Sequence, residues 1–204
     1  RLPEMRRWTN SLLAPDPESP IEPHQAMRGL IEFLTDTITM RRSTPGDDLL
    51  TAMINARDKH DRLDQDELMS LAFLLLWAGY ENSIYLITNS ILELFKYPAQ
   101  VGALRGGADL PESSLNEIIR LADPNQYAIR RFPIQDYTIG GTTIPAGDTV
   151  LLALAAAHRD PTQFHHPDVL DLTRAPRAHL AFGASIHYCL GAPLARLEAR
   201  TAIT

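Results

Sequence analysis

The stretch "HLAFGASIHYCLGAPLARLEAR", residues 179–200, contains Cys189, the single cysteine of the chain. His187 precedes it by two residues, and Pro193 follows at a spacing that predicts a helix beginning near Leu190. Backbone N–H groups at the start of a helix stabilise a thiolate, which is both a nucleophile and a metal ligand. The alternative for a lone cysteine is a small, buried apolar side chain.

Length and composition narrow the class of protein. The chain has 204 residues, enough for one domain with a hydrophobic core, and 45% of them are hydrophobic. A net charge of −6 argues against nucleic acid as a partner, and a single cysteine is typical of the reducing cytoplasm. Arg1 stands where an initiator methionine would be and no signal peptide follows, so we expect a piece of a longer protein.

The periodicity of apolar residues predicts a mainly α fold with a small β element and no linker between domains. Asp64 and Glu67 form a capping-box pattern at the start of the longest helix, whose centre is apolar on every side and is therefore expected to run through the core. Its apolar run, residues 71–79, is too short to cross a membrane. The sequence "YTIGGTTIPAGDTVLL", residues 137–152, predicts a β meander. Helices are predicted over residues 3–13, 21–42, 47–57, 64–96, 98–105 and 112–122, and from about 190 to the chain end.

The segment "FGASIHYCLGAP" resembles the heme-binding loop of the cytochrome P450 superfamily, Phe-Gly-x-Gly-x-His-x-Cys-x-Gly. The matching positions are Phe182, Gly183, His187, Cys189 and Gly191. The following "APLARLEAR" resembles the bacterial soluble members of that family. The resemblance implies that Cys189 is the thiolate ligand of a heme iron, with Phe182 and Gly183 among the residues that bind the heme.

Glu117 and Arg120, in "NEIIR", stand three residues apart on a predicted helix and can form an ion pair. Taken alone, the pair is typical of a solvated helix surface, and Ser114 with Glu117 could equally form a capping box. The family resemblance instead implies the Glu-x-x-Arg element, whose ion pair braces the heme loop.

The polar notch "AGYENS", residues 78–83, interrupts the apolar centre of the long helix. The polar groups of this segment could simply form hydrogen bonds with neighbouring polar groups around a buried helix. The resemblance implies the oxygen-binding groove, in which an acidic residue and a threonine relay protons to dioxygen. Glu81 matches the acidic position, whereas Asn82 stands at the threonine position.

Two further positions are implied to contact heme propionates. Arg131 lies just before the predicted meander, where the family has an arginine, although a count from Pro124 selects Arg130 instead. His187 is the second propionate contact. The histidine pair in "HHPD", residues 165–168, could suggest a metal site, but without further ligands we expect it to be solvent-exposed.

The resemblance therefore implies the C-terminal, heme-binding part of a P450 fold over residues 1–204, without the family's N-terminal helices and terminal β region. The implied activity is that of a bacterial, cytoplasmic heme-thiolate monooxygenase that contains heme b. It would use O₂ and electrons from a ferredoxin and ferredoxin reductase to hydroxylate, epoxidise or oxidatively couple a small organic substrate, in secondary metabolism.

Three departures from the family pattern keep other functions open. Ser185 replaces the second loop glycine, Asn82 replaces the relay threonine, and Val169 replaces an arginine, which is expected to remove the third member of the Glu-Arg-Arg network. One alternative is a non-catalytic heme-binding or interaction homologue. The other is a thiol-dependent enzyme without heme, which would use Cys189 and His187.

Overall fold

A computed structural model describes residues 2–13, 17, 21–58, 63–104 and 110–204. The described chain is mostly helical with one small sheet, which confirms the predicted fold class. It divides into two compact units, Arg1–Tyr80 and Glu81–Thr204.

Unit 1 is helical and is built on α1 (Leu2–Leu13), α2 (Pro23–Ser43), α3 (Leu49–Asp58) and the first half of α4 (Gln65–Phe95). The indole of Trp8 on α1 packs directly on Gly29 of α2, where any side chain would overlap the ring. Apolar residues of α2, α3 and α4 form the main core: Leu34, Ile38, Met53, Ile54, Leu68 and Ala72.

Unit 2 surrounds one short, buried helix, α6 (Glu112–Ala122). Leu115, Ile118 and Ile119 of α6 are completely buried, in contact with the second half of α4 and with the loop that contains Leu170. The remaining elements are α5 (Pro98–Leu104), the strands β1 (Tyr137–Ile139) and β2 (Thr142–Ile144), α7 (Leu154–Ala157), a 3₁₀ turn (Ser185–His187) and α8 (Ala192–Ile203).

The helix predictions agree with the structure to within two residues wherever the chain is described. The predicted end of α5 at Arg105 lies outside the described residues. Helix α8 begins at Ala192 and not at Leu190, because Leu190 and Gly191 form a turn ahead of Pro193 in the first helical turn.

The predicted β meander is a two-stranded antiparallel hairpin. Gly140 and Gly141 have φ angles of 56° and 79°, the left-handed pair that a tight hairpin turn requires. Val150 does not add a third strand to this sheet. It exchanges backbone hydrogen bonds with Arg131 instead, in an isolated bridge with both N···O distances at 2.9 Å.

The prediction that α4 runs through the core is wrong for the described chain. Its buried residues lie at helical spacing, Leu68 and Ala72 in unit 1 and Leu86, Ser90 and Leu94 in unit 2. Within each unit the described residues cover only part of the helix surface, and apolar side chains such as Leu74, Leu92 and Phe95 stay exposed. In the described part of the chain, α4 alone has the length and composition of a membrane-crossing helix. Core helices of soluble proteins share both properties.

The capping box at the start of α4 gives the first testable prediction. The Asp64 N–H donates to Glu67 Oε2 at 2.8 Å, and the Glu67 N–H donates to Asp64 Oδ1 at 2.7 Å, which confirms the predicted motif. Asp64→Ala should lower the free energy of unfolding by about 1 kcal/mol, because Ala cannot accept from the N–H. Asp64→Ser, which can, should retain most of the stability in urea denaturation. Equal losses in the two variants would contradict the capping role.

Candidate functional site

The site is organised by a buried ion pair on α6. Glu117 and Arg120 are only 4% and 1% exposed, so the alternative of a solvated surface pair is wrong. Arg120 Nε and Nη2 donate to the two carboxylate oxygens, each at 2.8 Å, in a bidentate contact. Ser114 is not part of a capping box, because its hydroxyl donates to Leu172 O at 2.7 Å.

Arg174 supplies a third member of this network, which corrects the expectation that Val169 leaves it incomplete. Arg174 Nε lies 2.9 Å from Glu117 Oε1, in an ionic contact without hydrogen-bond alignment. Its Nη1 donates to His165 O at 2.7 Å. The second guanidinium therefore comes from the loop after Val169 and is missed when the family motif is read position by position.

The third nitrogen of Arg120 fastens two loops to α6. Nη1 donates to His158 O at 2.5 Å and to Pro167 O at 2.8 Å. The guanidinium also lies over the Phe164 ring, with 4.7 Å from Cζ to the ring centroid. Each of the three guanidinium nitrogens of Arg120 thus has a hydrogen-bond partner, which reduces the penalty for burying the charge.

The buried network of Glu117, Arg120 and Arg174 is called the brace below. His158 connects this brace to the beginning of the cysteine loop. Its ring is 1% exposed, and Nε2 accepts a hydrogen bond from the Leu180 N–H at 2.9 Å. An accepting Nε2 places the ring proton on Nδ1, which faces Asp123 Oδ2 at 3.5 Å. Burial lowers the pKa of His158 to about 4, helped by the charges of Arg120 and Arg159, so the ring is neutral at pH 7.

Asp123 is the acidic partner at the end of α6. Burial raises the pKa of Asp123 to about 6, although hydrogen bonds from Asn125 act in the opposite direction. At pH 7 the contact is therefore between a neutral imidazole and a carboxylate and is not a salt bridge.

The loop that carries Cys189 is closed by backbone hydrogen bonds. The Gly183 N–H donates to Leu180 O, and the Cys189 N–H donates to Phe182 O, both at 2.8 Å. Gly183 has φ of 72°, and an added Cβ would lie 3.4 Å from His187 O, so the tight turn requires glycine here. Ser185 has φ of 62°, so the serine that replaces a family glycine adopts a left-handed conformation.

This loop presents the thiol outward. Cys189 is exposed, which excludes a small apolar core role within the described chain. Apolar neighbours are exposed beside it: Ile186 at 92% and Leu190 at 72%. The ring of Phe182, in contrast, packs inward against the unit 2 core and lies 5.1 Å from the Arg196 guanidinium carbon. An exposed thiol among exposed apolar side chains is typical of a ligand-binding surface.

The sequence that contains this loop and the brace is similar to sequences of known proteins. The family model "Cytochrome P450" matches residues 109–204. The chain is 42% identical to the cytochrome P450 monooxygenase PikC of Streptomyces venezuelae over 97% of its own length and 47% of that protein. The chain belongs to the cytochrome P450 family. It spans about half the length of the curated relatives it matches.

Solved structures agree on the fold. The ligand-free P450 monooxygenase TamI is 44% identical, with a TM-score of 0.85, over 98% of this chain and 48% of that one. The chain is also 42% identical to 6-deoxyerythronolide B hydroxylase of Saccharopolyspora erythraea, covering 98% of this chain and 50% of that protein. The described chain is therefore a partial P450 fold.

The other P450 positions predicted from the sequence lie apart from the brace. Glu81 and Asn82 are in the middle of α4, where Glu81 is half-buried and Asn82 is exposed. His187 is exposed at the end of the 3₁₀ turn. Arg131 is exposed, and its Nη1 donates to Ile129 O at 2.9 Å. Within the described residues, no hydrogen bond or ion pair joins the side chain of Glu81 or Arg131 to the cysteine loop.

Sequence reasoning missed three residues that the fold brings to the P450 loop. Besides Arg174 and His158, His179 connects the loop to α6: its Nδ1 accepts from the Ala181 N–H at 3.2 Å and its Nε2 lies 3.1 Å from Asn116 Oδ1. Burial lowers the pKa of His179 to about 4, as do the charges of nearby cations. The only signal for these residues was the density of histidine and arginine in residues 158–179.

The three-membered network gives the second prediction. Arg174→Gln should lower the free energy of unfolding by about 2–3 kcal/mol, because it removes a cation that faces the buried Glu117 carboxylate. Arg177→Gln is the matched control, since Arg177 is exposed three residues further on and should change stability by less than about 0.5 kcal/mol. Urea denaturation compares them, and equal stability of the two variants would show that Arg174 is not part of the brace.

Proposed function

We propose that the chain is the heme-binding part of a cytochrome P450 monooxygenase, with Cys189 as the axial thiolate ligand of heme b. One observation supports this most directly: an exposed thiol ends a loop that the buried Glu117–Arg120 pair holds in place through His158. A rigid second layer behind an exposed, soft ligand is the arrangement that a metal cofactor requires.

The residues present fit a heme. Thiolate is one of the side-chain groups that hold heme iron in proteins. The exposed side chains of Ile186 and Leu190, which precede and follow Cys189 in the sequence, provide apolar surface for a porphyrin. Heme is also the cofactor that membership of the P450 family implies.

Two side chains with N–H donors complete the proposed cofactor site. His187 and Arg131 are exposed and would bind the propionates, with Arg130 as the alternative to Arg131. Arg131 pairs with Val150 in an isolated antiparallel bridge, and in extended chain neighbouring side chains point to opposite faces. Only one of the two arginines would therefore face a propionate.

The proposed reaction consumes O₂, two electrons and two protons, inserts one oxygen atom into an organic substrate and releases the other as water. Heme, when bound, supplies the reductive activation of O₂. Glu81 would hold and deliver protons from its carboxyl group. The Asn82 amide can donate and accept hydrogen bonds through separate groups but does not readily pass on a proton, so a substrate hydroxyl or a water would complete the relay.

The relatives support the proposed substrate and partners. They include a mycinamicin IV hydroxylase/epoxidase and a polyketide biosynthesis P450, which favours hydroxylation or epoxidation of a small secondary metabolite. Oxidative coupling, in which both oxygen atoms leave as water, is the third reaction that we propose. Electrons would come from a ferredoxin and its reductase, in the bacterial cytoplasm. The 204 residues would form part of a single P450 domain. The exposed sides of α4 would be covered by heme and by segments equivalent to the half of the relatives that this chain does not match.

A second candidate is a heme-binding homologue without catalytic activity. It is supported by the left-handed Ser185 in the loop and by Asn82 at the relay position. The replacement of the family arginine by Val169 does not support this second candidate, because Arg174 supplies the third member of the network.

The ligand assignment gives the third prediction. The reduced carbon monoxide complex should show the strongly red-shifted Soret band of thiolate ligation, and Cys189→Ala should abolish it because no other thiol exists in the chain. Tyr188→Phe changes the adjacent exposed residue and should retain the band. A red-shifted band in Cys189→Ala would refute the assignment.

Asn82 gives the fourth prediction. Asn82→Thr should not increase the product formed per electron consumed, because the Glu81 carboxyl group is unchanged and a substrate hydroxyl can complete the relay. Asn82→Ala should lower that ratio and release more hydrogen peroxide, because it removes the amide. Product, electron and peroxide measurements with the native substrate compare the variants. A several-fold increase with Thr would mean that the site is a weakened monooxygenase and not a specialised one.

A further inference from the structure

We propose that His158 is a positioning residue for the thiolate loop, which it holds by accepting the Leu180 N–H at an unprotonated Nε2. The proposal builds on the heme-thiolate function, but its structural part can be tested without heme. His158 contacts neither substrate nor cofactor in this proposal and acts through Leu180.

Three hydrogen bonds support the proposal. The backbone oxygen of His158 accepts from Arg120 Nη1 at 2.5 Å, which fastens the residue to the brace. Its Nε2 accepts from the Leu180 N–H at 2.9 Å. The oxygen of Leu180 in turn accepts from the Gly183 N–H at 2.8 Å, in the first turn of the cysteine loop. His158 is therefore one side chain that connects the buried ion pair to this loop, while His179 connects the loop to Asn116 of α6.

Few other acceptors can replace His158 Nε2 as the hydrogen-bond partner of the Leu180 N–H. The His158 ring is 1% exposed, so water has little access to replace its nitrogen. Leu180 itself is 39% exposed, so its N–H can regain a partner from water only if the loop moves away from the ring. Loss of Nε2 as an acceptor should thus loosen residues 180–183 and let Cys189 depart from the position that heme ligation needs.

Protonation has the same effect as mutation, because an imidazolium has no acceptor nitrogen. The groups that face His158 are Arg120 and Asp123 from α6, His179 from the segment before the loop, and Arg159 beside it in the chain. Burial and the two arginines lower its pKa to about 4 in the folded protein, against 6.5 when unfolded. Folding stability from His158 is therefore lost as pH falls from about 6.5 to about 4. Asp123, whose pKa is raised to about 6, acts in the opposite direction.

The test compares His158→Leu with His158→Gln. Gln can place an amide oxygen near the position of Nε2, whereas Leu has no acceptor. The first readout is hydrogen exchange of the Leu180 and Gly183 amides by NMR, relative to the Ile118 amide in α6. His158→Leu should increase exchange at Leu180 and Gly183 at least tenfold more than at Ile118, and His158→Gln should restore most of the protection.

Leu170→Ala is the control for general loss of stability, because Leu170 is completely buried in the same core but does not contact the Leu180 N–H. It should raise exchange at all three amides together. Equal protection of Leu180 in the wild-type and His158→Leu proteins, or failure of Gln to restore what Leu loses, would overturn the proposal.

The second readout is the reduced carbon monoxide spectrum from pH 7 to pH 4. The fraction with the thiolate band should fall more steeply in the wild type than in His158→Gln, which lacks the titrating ring. This comparison decides the matter if His158→Leu does not fold, and identical pH profiles would then refute the proposal. If the wild type shows no thiolate band at pH 7, the heme proposal fails, while the exchange experiment still tests His158 on its own.

Discussion

The contact between the Glu117 carboxylate and the Arg120 guanidinium is the constraint on which the rest of unit 2 depends. Removing two charges from water is costly, and the cost is offset only when every oxygen and N–H group has a well-placed partner. Here those partners include Arg174 and the backbone at His158, Pro167 and Asp171. Satisfying one buried pair thus fixes the loop segments that precede the cysteine.

This arrangement explains why an outward-facing thiol can be held in a defined position. The loop around Cys189 has little packing of its own, since residues 184–190 are exposed. Its order comes from a few backbone hydrogen bonds and from anchors at its start, where His158 and His179 bind the Leu180 and Ala181 N–H groups. A soft ligand on an exposed loop with a buried anchor suits a cofactor that binds from outside the chain.

Much of this was predictable from the sequence because local signals were strong. Apolar periodicity gave the helices, the Asp64 and Glu67 pattern gave the start of α4, and Gly140-Gly141 gave the hairpin turn. The family motif located Cys189 and the Glu117–Arg120 pair. The roles proposed for Glu81, Asn82, His187 and Arg131 remain predictions, because each depends on contacts with a cofactor or substrate.

The sequence failed where the answer depends on contacts between distant segments. Arg174 was missed because an arginine can reach Glu117 from a different loop position with the same chemistry. Helix α4 was expected to be buried because an all-apolar helix needs cover on every side, but a sequence does not say which segment supplies it. Buried His158 carries no pattern at all, since its function depends on Leu180, twenty-two positions further along the chain.

The central claim is that the exposed thiol of Cys189 is the axial ligand of heme iron, held there by the buried brace. Iron K-edge X-ray absorption of the heme-loaded protein tests it most directly, because the scattering distinguishes sulfur from nitrogen or oxygen in the first coordination shell. We expect one sulfur neighbour in the wild-type protein and none in Cys189→Ser. A shell of nitrogen and oxygen alone in the wild type, or a sulfur neighbour that persists in Cys189→Ser, would contradict the account.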